Sequence, residues 1–106
     1  MSLDFYLERD GVVVFSANIT HNLTKMAAEA GIYKVLWRPE EVGVETGAEV
    51  IPILRAGLCK LVSDPAHYKQ FDAPNGWGTY QNFVPFCLDV LEACIANPDA
   101  FTEVSR

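Results

Sequence analysis

The chain is expected to fold as an α+β domain, with a small antiparallel sheet built from an N-terminal β-hairpin and a C-terminal strand and packed against three to five helices. Three observations predict this. First, Leu3, Phe5 and Leu7 alternate with Asp4, Tyr6 and Glu8, and Asp10-Gly11 separates that run from Val12-Val13-Val14-Phe15. Strict alternation marks a strand, and Asp-Gly between two such runs is a strong hairpin signal. Second, apolar residues recur at helical spacing through most of the middle of the chain. Third, Phe101 to Ser105 follows the break Asn97-Pro98-Asp99 and reads as a short strand free to join the hairpin. At 106 residues, positions 1–106 are expected to form one compact domain.

Each element has a local reason. The two-residue loop should pair Leu7 with Val14 and Tyr6 with Phe15. Asn18-Ile19-Thr20-His21-Asn22 reads as a turn into a helix carrying Leu23, Met26, Ala27 and Ala30, with Asn18 or Thr20 as N-cap and Gly31 as C-cap. Ile32 to Trp37 reads as a short helix stopped by Arg38-Pro39, because a residue before proline is pushed out of the helical region. Pro39 to Gly47 reads as a mobile loop. A helix from about Ala48 to Val62 follows, with Ile51, Leu54, Leu58, Leu61 and Val62 on one side. Pro52 should kink it, and Gly57 marks close packing. Ser63-Asp64-Pro65 starts a short helix with His67, Tyr68 and Phe71. The last helix runs from Thr79 or Tyr80 to Ala96 and is long enough to be the spine of the domain. Val50-Ile51-Pro52-Ile53-Leu54 echoes Phe83-Val84-Pro85-Phe86-Cys87, but the flanks differ and no repeat is inferred.

Between the short and the long helix lies Pro74-Asn75-Gly76-Trp77-Gly78-Thr79-Tyr80. Asn-Gly favours positive φ, and Gly78 permits a second unusual conformation. Thr79 suits a helix N-cap, its hydroxyl accepting from a first-turn N–H. Trp77, held between two glycines, is expected first as a buried packing residue and second as a platform across a ligand groove.

The formal charge is −6, from 14 acidic and 8 basic residues. That balance argues against nucleic-acid binding, which needs clustered Lys and Arg. Glu40, Glu41, Glu45 and Glu49 form only a loose cluster and read as a solvated face. No apolar run approaches the roughly 20 residues of a membrane span, and no basic-then-apolar segment marks a signal peptide. Cys59, Cys87 and Cys94 all fall in apolar, helix-like contexts, so they read as reduced, buried thiols of a cytoplasmic protein. No phosphate loop, Rossmann glycine pattern, nucleophile elbow or zinc constellation is found, and the two histidines, His21 and His67, stand 46 positions apart. No metal or cofactor is called for.

Several stretches are similar to a known group of proteins. Asn18-Ile19-Thr20-His21-Asn22-Leu23, Ala30-Gly31-Ile32-Tyr33 with Leu36-Trp37-Arg38-Pro39, Asn75-Gly76-Trp77-Gly78-Thr79-Tyr80 with Phe83, and Val104-Ser105-Arg106 together resemble a family of small uncharacterised proteins of bacteria and their phages. The resemblance covers nearly the whole chain. It implies a compact single domain and no particular chemistry.

Seven polar or aromatic residues stand outside the clear core periodicities: His21, Asn22, Trp37, Arg38, Asn75, Trp77 and Tyr80. Arg38 is expected to pair with Glu40 or Glu41. If the start of the first helix meets the central turn, the seven line a pocket for a small anionic ligand, with His21 as a base. The competing expectation is a protein-interaction module, an adaptor or an inhibitor, with an exposed aromatic patch or self-association through the hairpin edge. The lack of a catalytic motif favours the second.

Overall fold

The expected hairpin forms and the C-terminal strand joins it. In the computed structural model, which describes all of residues 1–106, β1 is Ser2–Arg9, β2 is Val12–Thr20 and β3 is Phe101–Ser105. The sheet is antiparallel with the order β2-β1-β3, so the first strand is the central one. Asp10 and Gly11 both take positive φ, 55° and 77°, as a tight turn matched to the twist of the strands requires. The register differs from expectation. Glu8 faces Val13 and Arg9 faces Val12, but a bulge at Val14 shifts the rest, so Leu7 faces Phe15 and Tyr6 faces Ser16. The extra residue bends β2 and raises its local twist.

Leu3, Phe5 and Leu7 point to one face and are fully buried by the helices. The chain reaches that layer through a 3-10 turn, His21–Leu23, and then α1, Thr24–Glu29. Thr20 caps this turn, its hydroxyl accepting from the Asn22 N–H at 3.2 Å. Asn18 is not a cap. It lies in β2 and its amide donates to Asp4 and Ser2. Gly31, at φ 78°, ends the segment as expected. Next come α2, Tyr33–Trp37, and a 3-10 helix, Pro39–Val42. The stretch expected as a mobile loop is therefore ordered backbone. It also lies along β3, where Thr46 bridges Phe101 and the Thr102 N–H donates to the Glu45 carbonyl at 2.9 Å.

The two long helices are α3, Gly47–Ser63, and α5, Tyr80–Ala96, with the short α4, Pro65–Lys69, between them. Glu49 opens α3 by reaching back to the N–H groups of Glu45 and Thr46, at 2.9 and 3.1 Å. Those two donors hold its carboxyl below the usual carboxylate range. Asp64 caps α4. α3 and α5 run antiparallel. Gly47 lies under the end of α5, where a Cβ would come within 2.7 Å of the Asn97 carbonyl oxygen. At the other end the Tyr80 hydroxyl donates to the Leu61 carbonyl at 2.9 Å. Each helix carries its proline, Pro52 or Pro85, at the sixth position. Gly57 marks close packing as expected, because a Cβ there would overlap the Cγ2 methyl of Ile32. One cluster of 24 buried residues draws on β1, β2 and all five helices, so a single core holds the chain together. No helix is long and apolar enough to cross a membrane.

Candidate functional site

The start of the helical layer and the central turn do meet. The Asn22 side-chain amide donates to the Trp77 carbonyl at 2.7 Å. Gly78 sits so close that a Cβ would come within 2.9 Å of Thr20 Cγ2 and 3.1 Å of Asn22 Cβ. Its φ of 118° is open only to glycine in practice. The Asn75 side chain accepts from the Trp77 N–H at 3.0 Å, and the Ala73 N–H donates to the Gly78 carbonyl at 2.9 Å. The turn is therefore fixed on both sides of Trp77. Trp77 itself is 72% exposed. This overturns the expectation that Trp77 packs into the core.

His21 and Trp37 form a second cluster. Trp37 is 2% exposed, and its indole N–H donates to His21 Nδ1 at 2.9 Å. That bond fixes the neutral imidazole with its proton on Nε2, since only an unprotonated Nδ1 can accept. Trp37 stacks on Tyr33 with centroids 5.7 Å apart and tilts against Phe83 at 6.5 Å. Arg38 donates through Nε to the Tyr33 hydroxyl at 3.1 Å and pairs with Glu41 at 3.3 Å. Of the two carboxylates expected for it, Glu41 is the partner. Glu40 pairs instead with Arg106, which also donates to the Trp37 carbonyl. That pairing holds the Glu40 carboxyl below its usual range.

Tyr80 is a joint between helices. Its N–H donates to Asp72 Oδ1 at 2.7 Å, its hydroxyl to Leu61, and Lys69 Nζ lies 5.6 Å from its ring centroid. Asp72 therefore caps α5, and the Thr79 hydroxyl donates to Asn82 Oδ1 rather than accepting from a first-turn N–H. The cysteines divide. Cys87 and Cys94 are buried, and burial pushes both thiols up, Cys94 to about 11. Cys59 is exposed, contrary to expectation.

Sequence reasoning missed one feature, a cleft of about 510 Å³ lined by Pro39, Glu40 and Glu45 together with Phe101, Glu103 and Arg106. None of the seven candidate residues lines it. The hairpin edge, expected as a route to self-association, is uncovered at its tip, where Val12, Val13 and Val14 are 62%, 49% and 39% exposed. No protein-family model, curated protein or solved structure matches this chain.

Proposed function

We propose that this is an acidic protein-interaction module, an adaptor or an inhibitor, whose contact surface is anchored on Trp77. The carrying observation is a largely exposed indole on a turn that is already fixed. Covering an aromatic of this size is worth roughly 3–4 kcal/mol from the area removed from water. Most rigid anchors lose part of such a gain to ordering, but here the backbone is held before any partner arrives. Trp is also the residue type most enriched at energetically dominant contact positions.

The competing small-anion site at His21 and Trp77 has less support. His21 Nδ1 is occupied by the Trp37 donor. The helix that follows His21 has only six residues, too short for a strong terminal dipole. The test is affinity capture from a lysate of the cells that encode the protein, comparing wild type with Trp77→Ala. The variant keeps the backbone bonds of the turn, so it should unfold within about 0.5 kcal/mol of wild type. Its affinity for a captured partner should fall about 30-fold or more, the ratio for a contact worth 2 kcal/mol. A partner held equally by both proteins removes Trp77 from the interface.

A further inference from the structure

We infer that the partner of this surface is a second copy of the chain, joined edge to edge through β2 into a continuous six-stranded antiparallel sheet. The inference rests on the reading of Trp77 as a contact residue for its apolar part and stands on hydrogen-bonding chemistry for the rest.

β2 is an outer strand. All the main-chain hydrogen bonds of Val12–Thr20 go to β1. Alternate residues of an antiparallel strand aim their N–H and C=O away from the paired neighbour. Those of β2 have no partner within the molecule. The occupant that satisfies such a row is another extended strand. The other edge of the sheet is treated differently. There Glu45 and Thr46 lie along β3, and Arg106 closes on Glu40 at the far end. Isolated domains blunt an outer strand with charge, proline, a bulge or cover. The bulge at Val14 twists the hairpin end of β2, but Val12–Thr20 contains no charged residue and no proline in nine positions, so the regular part from Phe15 to Thr20 is left open.

Three further observations select a second copy. First, the strand is neutral, so copies of a protein carrying −6 can bring these edges together without opposing like charges within the strand. Second, the covering layer thins towards the hairpin end of this edge. On β1 the inward residues Leu3, Phe5 and Leu7 are fully buried; on β2 Ile19 is buried too, beneath α5, whereas Ala17 and Phe15, which face the same way, are only half-buried. Apolar surface of Phe15 and Ala17 is therefore left for a second copy to cover. Third, the exposed apolar residues lie at opposite ends of one strand. The valines are at its start, and the Trp77 turn touches Thr20 at its end. Antiparallel pairing brings the start of one copy to the end of the other, twice.

Symmetry narrows the register. Two equal edges join antiparallel only about a two-fold axis normal to the sheet, which pairs residues of the same face and keeps both helical layers on one side. The bulge at Val14 limits the regular part to its C-terminal side. Centring the axis on Ala17 sets Ser16 of one copy opposite Asn18 of the other and Phe15 opposite Ile19, with the bulged Val14 beside Thr20. Val12 and Val13 then run on towards the other copy's Trp77.

The test is sedimentation equilibrium and amide hydrogen exchange on wild type, on the double variant Val14→Lys with Ser16→Lys, and on Trp77→Ala. Both lysines fall on exposed positions of the outward side, and circular dichroism checks their fold. The expected result is a wild-type dimer with alternate β2 amides protected in step with dimer formation, and a folded monomeric double variant. A wild type that stays monomeric, with the outward β2 amides exchanging freely at the highest concentration, overturns the inference. A dimer that the folded double variant retains also overturns it. If the double variant does not fold, protection of the outward β2 amides in wild-type dimer decides alone. Trp77→Ala separates the two readings. A dimer undiminished by it supports the β2 edge and removes Trp77 from the contact. A monomeric wild type whose heterologous partner is lost in Trp77→Ala keeps the interaction module and discards the second copy.

Discussion

Replacing His21 with alanine removes the acceptor of the Trp37 indole N–H, held at 2.9 Å. Trp37 is 2% exposed, so its donor has little other access to solvent. A buried donor left without a partner costs about 1–3 kcal/mol. His21 is itself half-buried, and its truncation opens a path for water, which sets the expectation at about 1–2 kcal/mol. In a domain of this size each kcal/mol lowers Tm by about 4–8 °C. Asparagine is the control, because its Oδ1 can stand where the imidazole Nδ1 stands. His21→Asn should lie within about 0.5 kcal/mol of wild type. Combining His21→Ala with Trp37→Phe, which deletes the donor, should give a coupling energy of about 0.5–1.5 kcal/mol. Urea unfolding followed by far-ultraviolet circular dichroism is the assay, since fluorescence would mix buried Trp37 with exposed Trp77. If asparagine and alanine destabilise equally, or the coupling vanishes, the bond does not hold Trp37 in place and His21 is free for another role.

Three other outcomes follow from the same geometry. In native protein one thiol, Cys59, should react promptly with a disulfide reagent while Cys87 and Cys94 react only on unfolding; three equally fast thiols would contradict their burial. Gly57→Ala gains about 1 kcal/mol of helix propensity, but its methyl overlaps the buried Ile32. Overpacking of about 1–3 kcal/mol wins, so the urea midpoint should fall, and a rise would mean that Ile32 has room to move. Glu49, Glu40 and Asp99 all have folded-state pKa values below their ordinary ones, Glu49 through two backbone donors, Glu40 through Arg106 and Asp99 through Arg9. The folded state then binds fewer protons than the unfolded chain, so this stability is complete above the ordinary carboxylate values and is lost as pH falls through the folded ones. The urea midpoint should therefore decline on acidification below about pH 4.5, and Glu49→Gln should flatten part of that decline.

The strands and helices were legible because local chemistry decides them. Asp10-Gly11 sets the hairpin, Gly31 ends the first helical segment, Asp64-Pro65 starts α4, and Tyr80 to Ala96 is helical at the expected positions. The misread details depend on groups far apart in sequence. The bulge at Val14 shifts the register by one residue, which no loop-length argument supplies. Asp72, eight residues away, takes the capping role expected of Thr79. The stretch from Pro39 to Gly47 looked unstructured because it is rich in Glu and Gly, yet β3, more than fifty residues later, gives it main-chain partners.

The candidate residues were chosen by type, as polar or aromatic groups outside the core pattern, and residue type does not separate unused capacity from internal wiring. His21 Nδ1, the Arg38 guanidinium and the Tyr80 hydroxyl are engaged within the fold, with Trp37, with Tyr33 and Glu41, and with Leu61 respectively. Asn22 and Asn75 spend their amides on the backbone of the turn. Subtracting those satisfied groups leaves His21 Nε2 on a half-buried ring, the Trp77 indole, with most of its surface in water, and the outer main chain of β2, with no bond in that direction; the last two are the large surfaces. Neither stands out by residue type. A tryptophan is usually core, and a run of valines is usually a covered strand. What distinguishes them is unmet demand, apolar surface in the first case and hydrogen-bonding capacity in the second. That demand becomes visible only once the partners of every other group are known.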